Sequence, residues 1–320
     1  MKKIVSLVLF ALILTGCDDG DLKVDTINFD KAAVESCTNG IIYKLNENES
    51  ILLDIPESAI IDEPSDSGKP ALYQIDNSAF RVIYRAYNGT VSKNTICDII
   101  PPAAPTVTEQ WTATGGIMEI LTTAIKTVNA TDNSSRITGY NHNISFKNIT
   151  FLKPTGPQVY AEFPFGDYKT TFEPLPFTFN EKAEQCSVSK QVYNWKNNAS
   201  IVLDGIDPTL LTNEATPPGS PRTGIIGSSS NKLVYTVYND FLSDEYFCQT
   251  PASSTPTVRE TWNGVKGVAG VSGTIEVKTE SFGPDTFKHT ITLKNATLQK
   301  GNNTFRLGDN FVVGELILAK

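Results

Sequence analysis

Short runs along the chain alternate large apolar or aromatic residues with polar ones, a period of two that is typical of a half-buried β-strand. Examples are RVIYRAY (81–87), KLVYTVY (232–238), ISFKNITF (144–151) and TITLKNATL (290–298). These runs are rich in Val, Ile, Thr, Tyr and Phe, and Gly and Pro residues punctuate the segments between them. No stretch after residue 16 keeps a 3.6-residue apolar period over three helical turns. The pattern therefore predicts an all-β protein.

The same pattern occurs twice in the chain. CDIIPPAAPTVTEQW (97–111) matches CQTPASSTPTVRETW (248–262) in its Cys, its Pro-Thr-Val string and its Trp. Further matches in the same order are SILLD (50–54) with SIVLD (200–204), RVIYRAYN (81–88) with KLVYTVYN (232–239), GIMEI (116–120) with GTIEV (273–277), HNISFKNITF (142–151) with HTITLKNATL (289–298), and FPFGD (163–167) with FRLGD (305–309). We predict an internal duplication, with repeat 1 at residues 27–173 and repeat 2 at residues 174–320.

Each repeat holds eight or nine short strands that we expect to be mostly antiparallel. This count predicts two tandem homologous β-sandwich domains of jelly-roll or immunoglobulin-like type. Lipocalin-like barrels are the alternative, because periodicity alone does not separate a sandwich from a barrel. The copies differ in a polar insertion of repeat 1 around residues 131–135, which we expect to form a loop.

The first 17 residues, MKKIVSLVLFALILTGC, combine two lysines, an apolar run from Ile4 to Leu14, and a Cys. The apolar run is about half the length needed to span a membrane, so residues 1–16 are predicted to be a secretion signal that is removed. Leu14-Thr15-Gly16-Cys17 resembles the lipobox of bacterial lipoproteins. The resemblance implies that Cys17 is the lipidated N-terminus, and several acyl chains give stable membrane anchoring.

Residues 17–26 would then form a lipidated, acidic tether, since Asp18, Asp19 and Asp21 follow the cysteine. Such a cluster is similar to the surface-export signal of Bacteroidota lipoproteins and implies the outer membrane with the body facing outward. In enterobacteria, Asp directly after the lipidated Cys instead marks retention at the inner membrane. A periplasm-facing location is therefore the alternative.

The remaining four cysteines allow three pairings. Cys37 lies 60 residues before Cys97, and Cys186 lies 62 residues before Cys248, so each repeat has one equivalent pair. The duplication predicts disulfides Cys37–Cys97 and Cys186–Cys248, which persist in an exported protein. A four-thiolate metal site is disfavoured because no two cysteines are closely spaced.

Composition excludes several functions. The chain has a formal net charge of −8 and no basic run, which argues against nucleic acid as a partner. It has only two histidines and none of the common catalytic or phosphate-binding motifs, so we predict no catalytic residues, no metal and no cofactor. A hydrolase that uses paired carboxylates is the least favoured alternative.

One pair of residues recurs in both copies and could bind a ligand. Glu109 precedes Trp111 by two residues, and Glu260 precedes Trp262 by two, so each Glu and Trp share one strand face. An indole beside a carboxylate suits stacking on a sugar ring. The competing interpretation is a core Trp whose neighbouring Glu is fixed by a hydrogen bond.

We therefore predict a membrane-anchored surface lipoprotein that acts as a non-catalytic binding or adhesion module, with a glycan as one candidate ligand. The alternative is a structural or accessory subunit of an envelope complex, with an envelope protein as partner. The lipobox, the duplication and the lack of a catalytic constellation carry this expectation.

Overall fold

The computed structural model describes residues 26–320, and its strands form two separate sheets. The strands of the first sheet are β1 Glu35–Ser36, β2 Ile42–Asn46, β3 Glu49–Asp54, β4 Ala71–Gln74, β5 Arg81–Tyr87, β6 Val107–Val128, β7 Ser135–Lys153 and β8 Gly156–Thr171. Those of the second sheet are β9 Lys182–Gln185, β10 Val192–Lys196, β11 Ala199–Asp204, β12 Arg222–Ile225, β13 Lys232–Tyr238, β14 Val258–Gly264, β15 Thr274–Ser281, β16 Thr286–Lys300 and β17 Asn303–Ala319. The protein is thus all-β, as predicted.

Helical structure is limited to short segments. The α-helix α1 covers Lys93–Cys97, and four 3₁₀ turns cover Glu57–Ala59, Asp66–Gly68, Pro208–Leu211 and Asp244–Tyr246. Within residues 26–320, no helix has the length and apolar character needed to cross a membrane.

Each repeat contributes a single sheet. In repeat 1 the strand order is β1-β2-β3-β5-β6-β7-β8, with β4 also beside β6. In repeat 2 the path β16-β14-β13-β11-β10-β9-β17 returns to β16, so seven strands form a closed cycle. The expected two-sheet sandwich within each repeat is not confirmed, and the closed cycle is the pairing that a barrel requires.

The longest strand of repeat 1 is interrupted in repeat 2. β6 is one strand of 22 residues that bends at Gly115 and Gly116, where its register against β7 shifts. A Cβ on Gly116 would lie 2.7 Å from the Cα of Ile149, and its φ of 117° also favours glycine. In repeat 2 the corresponding strand is divided into β14 and β15 by residues 265–273.

The register of the last hairpins corrects one of the sequence matches. Ile144 of β7 pairs with Gly166, and the equivalent Ile291 of β16 pairs with Gly314. Gly166 therefore corresponds to Gly314, and the match of FPFGD (163–167) to FRLGD (305–309) is out of register by six residues. Both glycines have positive φ and lie where the register of the hairpin shifts, which explains why glycine occupies each position.

Both predicted disulfides are present. Cys37 is bonded to Cys97 and Cys186 to Cys248. Each joins the end of the first strand of its repeat to the segment that precedes β6 or β14, on the face of the sheet opposite the main core. Closing a loop of 60 or 62 residues stabilises a fold by about 4 kcal/mol in the chain-entropy model.

The tip of the β6–β7 hairpin packs on repeat 2. Ile137 and Tyr140 of β7 belong to the apolar core of repeat 2, and the Tyr140 hydroxyl donates to Asn303 Oδ1 at 3.0 Å. The insertion around residues 131–135 is the turn of this hairpin, where the Asp309 N–H donates to the Asp132 carbonyl at 2.7 Å. The segment is a loop, as expected, and it also contacts repeat 2.

A second contact reinforces the junction. The backbone N–H of Asn302, in the β16–β17 turn, donates to Glu63 Oε1 at 2.7 Å, and its side-chain amide donates to the Pro64 carbonyl. The Arg136 guanidinium lies 4.2 Å from the centroid of the Phe177 ring. Polar and cation–π contacts thus surround the buried Tyr140.

We expect Tyr140→Phe to lower the free energy of unfolding by about 1–3 kcal/mol, because buried Asn303 Oδ1 loses its donor. In this variant, urea denaturation should also resolve a separate unfolding transition for each repeat. Tyr87→Phe is the matched control, because it removes a buried hydroxyl contact to Ser50 within repeat 1. If both variants unfold in a single transition and lose the same free energy of unfolding, Tyr140 does not couple the repeats.

Candidate functional site

The tryptophans of the two Glu–Trp pairs lie inside the protein, and Glu109 and Glu260 are half-buried beside them. The side chains of Trp111 and Trp262 are each 1% exposed and belong to the cores of their repeats. The Trp111 Nε1–H donates to Glu109 Oε1 at 2.7 Å, and the Trp262 Nε1–H donates to Glu260 Oε2 at 3.2 Å. No indole face is accessible for stacking on a sugar, so the arrangement matches the core interpretation.

Carboxylates that recur in both repeats face basic residues across the strands. Asp54 is 2.9 Å from Arg81, and Glu119 is 3.7 Å from Lys147. The equivalent Asp204 pairs with Lys232, and Glu276 lies 3.8 Å from Lys294. These cross-strand ion pairs give the matched carboxylates a structural role in each sheet.

His142 fastens the segment between β3 and β4, which carries Asp62, to the sheet of repeat 1. The ring is fully buried, with Nδ1 2.9 Å from Thr122 Oγ1 and Nε2 3.2 Å from Asp62 Oδ1. Burial lowers the pKa of His142, and the nearby Asp62 opposes this shift. The neutral imidazole therefore links strand β6 to the segment that carries Asp62.

His289 has the same role in repeat 2. Its Nδ1 is 2.9 Å from Thr279 Oγ1 and its Nε2 is 3.2 Å from Asn213 Oδ1. Burial, with a smaller effect of the Arg222 charge, lowers the pKa of His289 to about 4. An amide thus replaces the carboxylate of repeat 1, and nothing offsets the cost of protonating this ring.

Between residues 26 and 320 no group of three or more His, Cys, Asp or Glu side chains could hold a metal ion. Cys17, the predicted lipidation site, lies outside the described residues.

A polar cleft lies where the two ends of the repeat 1 sheet approach each other. Its volume is about 720 Å³. It is lined by Asp30, residues 32–36, Lys44, Lys93 and residues 166–169. We call this region the seam cleft, because it separates the segment leading into β1 from the outer edge of β8.

The same position in repeat 2 is closed by main-chain pairing. There, β9 and β17 pair in parallel at Lys182 and Ala183, and the Glu315 N–H donates to the Glu181 carbonyl at 2.8 Å. Asp167 corresponds to Glu315, because both follow the matched glycine. Among the described residues, β8 pairs only with β7, so the edge at Asp167 makes no such ladder.

Side-chain hydrogen bonds bridge the seam of repeat 1: the Tyr168 hydroxyl donates to Ser36 Oγ at 3.3 Å, and Lys44 reaches the main chain of β8. The Lys44 side chain is buried, with 5% exposure, and its Nζ donates to the Phe165 carbonyl at 2.8 Å. The equivalent residue of repeat 2 is Asn194, whose Nδ2 donates to the Val313 carbonyl at 2.6 Å. A neutral amide therefore makes the same seam bond that Lys44 makes with a charged group.

The charge of Lys44 has no strong partner of its own. Burial lowers the pKa of Lys44, and Asp30 opposes this shift without forming an ion pair. The other two lysines of the cleft, Lys93 and Lys169, also form no ion pair in the described part of the chain. An ammonium with spare donors at a polar cleft is suited to a carboxylate ligand.

Two of the three carboxylates that line the cleft accept hydrogen bonds from neutral donors, and the third, Asp30, is exposed and acts on Lys44 only through its charge. Glu35 accepts the Tyr43 hydroxyl at 2.8 Å. Asp167 accepts the side-chain amides of Asn143 and Asn141 at 2.8 Å and 3.1 Å, and these bonds lower its pKa. The half-buried ring of Tyr168 completes the lining. The cleft thus combines unpaired cations, fixed anions and one aromatic ring.

Sequence reasoning did not identify this cleft. The available signal was the difference between IYKLN (42–46) and VYNWK (192–196), where a lysine and an asparagine share one position of a matched strand. A buried lysine could be recognised only once the fold had shown which face of β2 points inward.

Stability should fall as the pH is lowered from about 6.5 to about 4. In this window the unfolded chain protonates His289 while the folded protein keeps it neutral, so up to about 3 kcal/mol is lost. We expect His289→Gln to flatten the dependence of the melting temperature on pH. His142→Gln should flatten it less, since Asp62 partly stabilises protonated His142. An unchanged profile in His289→Gln would contradict this assignment.

Comparison with known proteins finds no matching family model, and no curated protein or solved structure is significantly similar to this chain.

Proposed function

We propose that this protein is a lipid-anchored binding module of the bacterial cell envelope. The anchor is Cys17, the membrane is the outer membrane, and the body faces outward. The lipobox and the acidic residues behind it support this location.

The proposed ligand is a saccharide that carries a carboxylate, bound without catalysis in the seam cleft. The observation that carries this proposal is the buried ammonium of Lys44, which lines a cleft of about 720 Å³. Repeat 2 makes the equivalent seam bond with neutral Asn194, so closing the seam does not require a charge. Tyr168 offers a ring for a sugar, and the lysines offer donors for its carboxylate.

A second candidate function is that of an accessory subunit in an envelope complex. The unpaired edge of β8 near Asp167 supports it, because an exposed edge can accept a strand from another protein. In that case, cross-linking in the native envelope would capture one stoichiometric protein partner at the seam.

The proposed architecture is two homologous domains, each with its sheet rolled around its own core. The separate core clusters and the closed cycle of repeat 2 support this proposal. In repeat 1, the cycle is completed by side-chain bonds of Lys44 and Tyr168 and not by a strand ladder.

We expect Lys44→Asn to weaken binding of acidic saccharides by about 10- to 100-fold, the loss that follows from removing one charged hydrogen bond. Glycan-array binding followed by titration calorimetry would measure it. The asparagine found in repeat 2 should preserve the fold, and the melting temperature checks this. Lys294→Asn, on the other repeat, is the control and should bind normally. Unchanged affinity in Lys44→Asn would refute the assignment.

The anchor has a separate test. In Cys17→Ser, incorporation of labelled palmitate should be lost, because the serine cannot form the thioether that carries the lipid. Labelling that survives this substitution would show that Cys17 is not the anchor. The mature wild-type protein, labelled in parallel, is the reference.

A further inference from the structure

The loop that follows the disulfide of repeat 1 presents an apolar surface to solvent. Ile99 is fully exposed and Ile100 is 86% exposed. The run Ile99-Ile100-Pro101-Pro102-Ala103-Ala104-Pro105 contains no charged residue. We call residues 99–105 the apolar loop. Adjacent exposed isoleucines mark a surface that is suited to an apolar partner.

The equivalent loop of repeat 2 has different chemistry. It reads Gln249-Thr250-Pro251-Ala252-Ser253-Ser254-Thr255-Pro256, with polar residues where repeat 1 has Ile99 and Ala103. Both loops follow the second cysteine of their disulfide and precede the matched Pro-Thr-Val string. The shared fold therefore does not require the isoleucines. The reason for their presence is specific to repeat 1.

The apolar loop returns to the end of repeat 1 at which the described chain begins. The N–H of Thr106, directly after the loop, donates to Asn88 Oδ1 at 2.8 Å. Three residues along from Asn88, the Val91 N–H donates to the Glu47 carbonyl at 2.8 Å. The neighbouring Asn46 amide donates to the Asn28 carbonyl at 3.1 Å. These bonds place the exit of the loop beside the first described residues.

The predicted lipid anchor is close to this end in the chain. Cys17 precedes Thr26 by nine residues, which span at most about 30 Å. The end of repeat 1 that carries Asn28 is therefore held within about that distance of the bilayer surface. The anchor thus keeps the exit of the apolar loop close to lipid. Ile99 and Ile100 are at the entry of the loop, beside the Cys37–Cys97 disulfide, and lie at most about 25 Å from that exit.

The loop of repeat 2 lies much farther from that end. The Lys300 Nζ is 2.8 Å from Glu260 Oε2, which places the β16–β17 turn beside the start of β14 and the loop before it. Asn302 of the same turn contacts Glu63 and Pro64 at the far end of repeat 1. β6 leads from Val107, at the exit of the apolar loop, to Thr122, whose carbonyl accepts the Ser65 N–H beside Pro64. This strand path is about 50 Å long and bends at Gly115 and Gly116.

We propose that the apolar loop rests in the lipid interface next to the anchored N-terminus, with Ile99 and Ile100 among the acyl chains. This proposal rests on the lipid anchor of the proposed function. The occupant is lipid and not protein, because the apolar loop belongs to the end nearest the anchor and its counterpart at the junction is polar. Removing the two isoleucine side chains from water favours this contact.

The test uses the mature lipidated protein in neutral phosphatidylcholine vesicles, since the acidic chain is repelled by anionic lipid. Ile100→Trp places an indole in the apolar loop, and Pro251→Trp places one at the matched position of repeat 2. Fluorescence with brominated acyl chains reports contact with lipid, after subtraction of the signal from the unsubstituted protein. Flotation of the vesicles shows separately whether the protein is anchored.

We expect both variants to float, with the emission of the introduced indole lost to quenching in Ile100→Trp and retained in Pro251→Trp. Flotation with equal, weak quenching in both would overturn the lipid contact and leave the anchor intact. A protein that does not float would overturn the anchor of the proposed function, and the lipid contact with it. Ile99→Thr combined with Ile100→Ser should still float, and near-ultraviolet circular dichroism checks its fold.

Discussion

The strand edges at the two ends of each sheet must find hydrogen-bond partners, and this requirement governs how each repeat closes. Repeat 2 meets it with a short parallel ladder between β9 and β17. Repeat 1 meets it with side-chain bonds, from Lys44 Nζ to the Phe165 carbonyl and from the Tyr168 hydroxyl to Ser36 Oγ. A side-chain bridge leaves room between the edges that a ladder would fill. The seam cleft is thus a direct consequence of how repeat 1 closes.

Features that recur in both copies build the scaffold. Each repeat buries a Trp whose indole N–H is held by a Glu, and each buries a His bonded to a Thr. The same contacts in both copies mean that the fold explains them without reference to a ligand. Features that differ are the seam, the apolar loop and the length of the β6–β7 hairpin, and these are the places where repeat 1 departs from a purely structural unit.

The sequence was sufficient for the strands and the disulfides because both leave local or duplicated signals. Period-two patterns mark strands, and equivalent spacing of Cys37–Cys97 and Cys186–Cys248 selects one pairing of three. It was insufficient for the last hairpin of each repeat. There the five-residue match of FPFGD (163–167) to FRLGD (305–309) was wrong, because the register is set by cross-strand pairing that the match does not contain. It also could not reveal the seam cleft, because burial of Lys44 depends on contacts between residues 121 positions apart. Long-range pairing is the information that local patterns lack.

The cost of burying Lys44 is the strongest reason to connect the seam with binding. Removing an ammonium from water is unfavourable unless its hydrogen bonds and charge are satisfied, and here one carbonyl accepts from it. Asn194 makes the same bond to the edge with a neutral amide, although its own buried Oδ1 has no hydrogen-bond partner among the described residues. The scaffold therefore makes the seam bond with either group, and that bond does not require the charge of Lys44. The Lys44 ammonium lines a cleft and keeps hydrogen-bond donors that the protein does not use, so an anionic ligand can accept from them. A charged donor that the fold already holds in place is what a preorganised ligand contact requires.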